Sequence, residues 1–168
     1  VYDSNRYTVF GLLTRLGCEV IDLGVVKDEP AQLEAAFRHA AARADAVITS
    51  GGVSVGEADH TKAMMRQLGD VAFWRIAMRP GRPMAVGRIP RVRLAGDAAA
   101  DSKISIQSAS GPSADGVASY PKDSNAVLFG LPGNPVAVMV TFLAFVRPAL
   151  LRLTGARPQP TLYLRAAS

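Results

Sequence analysis

DAVITSGGVSVGEADHTK, residues 45 to 62, runs from a short apolar segment through a glycine- and serine-rich loop toward a helical pattern. Ala46 to Thr49 (AVIT) has the character of a short buried strand. Beyond the loop, Met64, Met65 and Leu68 mark one side of a helix that Asp59 can cap and Gly69 can end. Strand, glycine loop and helix in that order are the unit from which α/β sheets are built.

The neighbouring segments repeat the alternation. Upstream, Asp3 and Ser4 are N-cap types, Val9, Leu12, Leu13 and Leu16 fall on one helical face, and Gly17 stops the helix. Cys18 to Gly24 (CEVIDLG) alternates as a strand does. Pro30 suits a first helical turn, and Leu33, Phe37, Ala40 and Ala44 continue as a stripe. Downstream, Val71 to Ala77 reads as a strand, Pro80 to Pro83 as a turn, Met84 to Val86 as the start of a short strand and Val127 to Leu131 as another. Asn134 and Pro135 then open a long apolar helix to about Leu153, which Pro148 should kink or restart. Together these predict a three-layer α/β fold, a mostly parallel sheet with helices on both faces. Ligands of such folds bind at the carboxyl ends of the strands, where loops 49–56 and 130–135 both lie.

Composition narrows the function classes. The chain has 168 residues, 49% of them hydrophobic and 20% charged, an ordinary globular balance. The apolar run Val136 to Val146 is shorter than a bilayer requires. A single cysteine, Cys18, excludes an internal disulfide and a cysteine-based metal site, and suits a cytoplasmic setting. The net charge is +5, and residues 71 to 89 hold four arginines and no acid. With one Trp and no Lys/Arg run interleaved with aromatics, a small anionic ligand is expected rather than nucleic acid.

Three loops carry the chemistry. Gly51 and Gly52 let the backbone approach a ligand and turn N–H groups toward an anion, with Ser54 as a hydroxyl donor. Glu57 and Asp59 can hold Mg²⁺, which takes one or two carboxylates beside ligand phosphate oxygens. In MRPGRP, residues 78 to 83, Arg79 and Arg82 flank a Pro-Gly turn and can clamp a tetrahedral oxyanion. In LPGNP, residues 131 to 135, Pro132, Gly133 and Asn134 precede a helix N-terminus, with its partial positive charge. Each loop also has a plain structural reading: a tight turn, an exposed basic turn, an ordinary helix cap.

TSGGVSVGEAD, MRPGRPMAVG and GLPGNPV in that order, behind YDSN and LGCEVIDLG, resemble the molybdopterin molybdenumtransferase family of MoeA and gephyrin E-domain type, from Tyr2 to about Gly155 except the loop 91–125. The resemblance implies a molybdenum-cofactor-biosynthesis domain that takes molybdate and adenylylated molybdopterin and releases molybdenum cofactor and AMP, with Mg²⁺. It implies catalytic roles for Asp59, Arg79 and Arg82, and metal binding by Asp59 and Glu57. Substrate or cofactor would be bound by Asp3, Asn5, Gly51, Gly52, Ser54, Pro132, Gly133 and Asn134. It also implies a homodimer, with adenylyltransferase and molybdoenzyme partners. Relatives usually carry lysines where Arg79 and Arg82 stand, and many have Ser where Ala137 stands. An adenylyltransferase of the same fold and a non-catalytic dimerisation scaffold are the alternatives.

Residues 1–155 are expected to form this domain without its first strand, interrupted by a flexible insertion at 91–125 rich in Ser, Ala, Asp and Gly. Residues 156–168 read as a linker and the start of a C-terminal β-domain. The isolated fragment is expected to be inactive.

Overall fold

The computed structural model describes residues 3–53, 60–91 and 125–157. The expectations for Ser54, Glu57, Asp59, the interior of the 91–125 insertion and the residues from 158 onward therefore lie outside the described residues.

Helix α1 (Ser4–Arg15) begins where Asp3 accepts the Arg6 N–H at 3.2 Å, and Gly17 leaves it at φ +78°. Helix α2 (Pro30–Arg43) buries Leu33, Phe37 and Ala41. Strand β1 (Ala46–Ser50) follows, and helix α3 (His60–Leu68) buries Met64, Met65 and Leu68. Strands β2 (Asp70–Arg75), β3 (Pro83–Ile89) and β4 (Ala126–Leu131) complete the described sheet. Its order is β1-β4-β3-β2.

Helices cover both faces, as expected of the α/β class. On one side, α2 and α3 send Leu33, Phe37, Met65 and Leu68 against Val47, Ala85, Ile89 and Leu128. On the other, α1 and the C-terminal helical run set Val9, Val138, Phe142, Val146 and Leu150 against Met84, Phe129 and Leu131. The central strand β4 is almost wholly buried, because it has a strand on each side and a helical layer above and below.

Two expectations are corrected. The sheet is mixed rather than mostly parallel: β1 and β4 pair in parallel, whereas β2–β3 and β3–β4 are antiparallel. The link between β2 and β3 is too short for the crossover that a parallel pair needs, about a dozen residues. Cys18 to Gly24 is not a strand. Alternation needs a ladder partner to become a strand, and Ile21, Leu23 and Val25 are exposed. The segment is tied instead to α1, through the Cys18 N–H to the Leu13 carbonyl at 3.1 Å and Arg6 beside Asp22 at 3.7 Å.

The C-terminal run is helix α4 (Pro135–Thr141), a π-helical turn at Phe142–Val146, and helix α5 (Arg147–Leu153). Pro148 supplies no N–H to the preceding turn, and the wider π turn just ahead of it absorbs that loss. At 19 residues and mean hydropathy 1.9, Pro135–Leu153 is longer than its apolar sequence core suggested, and by length and composition alone it could cross a membrane. Its inner side is packed into the second cluster, where Val138, Phe142 and Val146 are fully buried, the place of a core helix.

Candidate functional site

The carboxyl ends of the parallel pair β1 and β4 and the β2–β3 turn lie at one end of the sheet, because Ser50 pairs with Leu131 and Arg75 with Pro83. Contacts between the loops bring the motifs together there. The Gly51 N–H donates to the Leu131 carbonyl at 3.0 Å. A Cβ on Gly133 would lie 3.9 Å from Gly51 Cα, so the glycine loop and the LPGNP loop touch. Asn5 Nδ2 donates to the Gly133 carbonyl at 2.8 Å and fastens the start of α1 to the same loop. Its other amide atom, Oδ1, is buried and has no hydrogen-bond partner, an acceptor left open at this junction.

The arginine turn joins through Gly81. Its φ is +110°, and a Cβ there would meet Thr141 Cγ2 at 2.8 Å and Met78 Cε at 2.9 Å, with the Ala137 carbonyl at 3.7 Å. Only glycine lets the turn seat this closely on the first turns of α4. Ile76 N–H to the Arg82 carbonyl, 2.7 Å, closes the turn. Thr141, fully buried beneath it, satisfies its hydroxyl by donating to the Ala137 carbonyl at 2.7 Å. Arg79 and Arg82 are exposed, and among the described residues neither makes an ion pair. Two guanidinium groups therefore remain free to bind an anion.

Other expected site residues have structural duties. Asp3 caps α1 and sits 3.9 Å from Arg6 Nε. The Tyr7 hydroxyl, then Asp22, raise the pKa of Arg6, so this anchor stays cationic. Asn134 caps α4 by accepting the Ala137 N–H at 3.1 Å. Pro135 has no N–H, so Val136 carries the first-turn donor that these contacts leave unused. Pro132 is buried beside them.

The glycine loop departs from its reading in one respect. Both glycines have positive φ, +86° at Gly51 and +67° at Gly52, as a ligand loop would. The Gly51 N–H, however, is spent on Leu131. A Cβ on Gly52 would lie 2.6 Å from Thr61 Cβ, so packing on α3 requires that glycine. Among the described residues no group of three His, Cys, Asp or Glu could hold a metal ion. The fit of Mg²⁺ thus depends on Glu57 and Asp59, outside the described residues.

Sequence reasoning passed over a second basic feature. Lys62 and Arg66 of α3 face Phe73 and Arg75 of β2 across a cleft of about 240 Å³ that Val53, at the end of the glycine loop, also lines. The i, i+4 spacing on α3 and the i, i+2 spacing on β2 were the available signal.

The family described as "Probable molybdopterin binding domain" matches residues 1–152. A molybdopterin molybdenumtransferase of Haemophilus influenzae is 43% identical over 155 residues, 92% of this chain and 30% of the relative. One of a Nostoc species is 35% identical over 156 residues, again 92% of this chain, and 29% of the relative. Gephyrin of Dictyostelium discoideum is 32% identical over 133 residues, 79% of this chain and 16% of the relative. The chain thus spans about a third or less of the length of these relatives.

Proposed function

The chain belongs to the molybdopterin-binding domain family of molybdenum cofactor biosynthesis, and from that premise we propose that it is the central domain of a molybdopterin molybdenumtransferase. The reaction takes molybdate and adenylylated molybdopterin, splits the phosphoanhydride, and releases molybdenum cofactor and AMP. The observation that carries this reading is the seating of the Arg79–Arg82 turn on α4 through Gly81, at the end of the sheet where Gly51 and Gly133 also meet. That arrangement supports two guanidinium groups holding a tetrahedral dianion next to loops able to receive a phosphate.

In this reading Arg79 and Arg82 bind and orient molybdate by charge-assisted hydrogen bonds. As arginines they present planar forks where a lysine would present a point charge, so they fix the anion's orientation more firmly. Asn5 holds the Gly133 carbonyl in place, and Gly52, Ser54, Pro132 and Gly133 border the substrate. Asp59, with Glu57, holds Mg²⁺, which would neutralise phosphoanhydride charge when bound.

The working protein is proposed to be a cytoplasmic homodimer. Tyr7 and Phe10 on α1, and Val136, Met139 and Leu143 on the α4 run, leave apolar side chains exposed for a second copy. Adenylyltransferase and molybdoenzyme proteins are its proposed upstream and downstream partners, and neither nucleic acid nor membrane enters this reading.

Incubating the full-length protein with adenylylated molybdopterin and molybdate tests it. AMP release that depends on molybdate and yields active molybdoenzyme is expected. AMP transfer from ATP to metal-free molybdopterin would select the adenylyltransferase alternative, and a dimer binding neither ligand would select the scaffold.

A further inference from the structure

We infer that Arg6 is a positioning residue of the site, which holds the first turn of α1 so that Asn5 keeps the Gly133 carbonyl, and with it the LPGNP loop, in one place. Only the identity of the loop's ligand rests on the transferase reading. Arg6 lies between two carboxylates, its Nε 3.9 Å from Asp3 Oδ2 and 3.7 Å from Asp22 Oδ2. Its Nη2 donates to the Tyr7 hydroxyl at 3.1 Å, and its guanidinium carbon stands 4.9 Å from the Tyr7 ring centroid. Gly24, at φ +70°, brings the backbone so near that a Cβ there would lie 3.3 Å from Arg6 Nη1, and its N–H donates to Asp22 Oδ1 at 2.8 Å. Each guanidinium nitrogen thus faces protein groups, the arrangement of a clamp rather than of an anion ligand.

The clamp bears on the loop through one helical turn. Asp3 caps α1 by accepting the Arg6 N–H at 3.2 Å, and Asn5 lies between these two residues. Asn5 Nδ2 donates to the Gly133 carbonyl at 2.8 Å, across 128 residues of sequence. The Gly133–Asn134 peptide is planar and trans, so a held carbonyl also sets the direction of the Asn134 N–H. Without Arg6, the Asp3 and Asp22 carboxylates would face each other with no cation between them. All three side chains are about a third exposed, so solvent screening keeps that repulsion modest, enough to loosen a cap but not to unfold the domain. Asp3 then releases the Arg6 N–H, the first turn frays, and Asn5 loses its fixed approach to Gly133.

Hydrogen exchange of the unliganded full-length protein reads the loop directly. Arg6→Gln should speed exchange across residues 131–136 about three- to tenfold. Combining it with Asp22→Asn, which removes the cation and one facing carboxylate together, should return exchange most of the way to the wild-type rate. Arg15→Gln, exposed at the other end of α1, should leave that segment unchanged, which separates a local clamp from a general loss of helix stability. Calorimetric titration with AMP then reads the site. Arg6→Gln and Asn5→Ala should each weaken AMP binding about three- to tenfold, and the two together should be no weaker than Asn5→Ala alone, because Arg6 acts through Asn5. If Arg6→Gln does not fold, Arg6→Lys, which keeps the charge but not the planar fork, should still speed exchange at 131–136. Unchanged exchange in the Arg6 variants, no recovery with Asp22→Asn, or additive losses with Asn5→Ala overturns the clamp. If the wild type binds no AMP while exchange behaves as expected, the transferase reading falls and Arg6 keeps its role. If AMP binds and exchange is unchanged, Arg6 alone loses its role.

Discussion

Substituting Gly51 and Gly52 of the site loop one at a time separates backbone strain from packing. Gly51 and Gly52 both hold positive φ, +86° and +67°, where an L side chain costs about 1–2 kcal/mol. They differ in what a new Cβ would meet. At Gly51 nothing lies within 4 Å, whereas at Gly52 Thr61 Cβ would be at 2.6 Å and its Cγ2 at 2.7 Å. Gly51→Ala should therefore cost only the backbone term, about 1–2 kcal/mol. Gly52→Ala adds an overpacking term of about 1–3 kcal/mol, for a total of about 2–5 kcal/mol. Thr61→Ala should rescue Gly52→Ala only in part, since it removes Cγ2 and Oγ1 but leaves the Cβ that clashes most. Urea unfolding at constant m-value measures each difference. Equal losses for the two glycines, or no rescue at all by Thr61→Ala, would refute the packing argument.

Three further outcomes follow from the same contacts. Phe142→Ala empties a fully buried ring position and should cost about 3–5 kcal/mol in the same unfolding assay. Asn134→Ala removes the α4 cap and should cost about 1 kcal/mol, with Asn134→Asp retaining most of it. Arg82→Ala should weaken molybdate binding by about tenfold or more while leaving the unfolding midpoint within error, because the side chain is exposed and its backbone carbonyl alone closes the turn.

How much was legible in the sequence divides by the range of the signal. Local signals read correctly: Asp3 ahead of α1, Pro30 opening α2, Asn134-Pro135 opening α4, and Pro148 disturbing the last helix. Pairing was less legible. The alternation in Cys18 to Gly24 is real, but a strand is made by its neighbour, and no property of the seven residues reports whether one is present. The antiparallel β2–β3 pair was readable from the short link, yet the repeated strand-helix pattern elsewhere outweighed it. β3, whose start at Met84 to Val86 was legible, runs on to Ile89 because its pairing with β4 continues to Ala126.

In the site, residue types were informative and duties were not. Gly51, Gly133, Asn5 and the arginine turn do gather at one end of the sheet. That Gly51 spends its N–H on Leu131 and that Gly52 is fixed by Thr61 depend on contacts between segments far apart or separately folded. The cleft at Arg66 and Arg75 was missed for the same reason, since its two walls come from different elements.

The most direct measurement is anomalous diffraction at the molybdenum edge from crystals of the full-length protein soaked in molybdate. The account predicts a single strong peak within hydrogen-bond reach of Arg79 and Arg82, over the first turn of α4 and next to Gly133. A protein that binds molybdate with its peak away from that turn, or that shows none at saturating concentration, would contradict it.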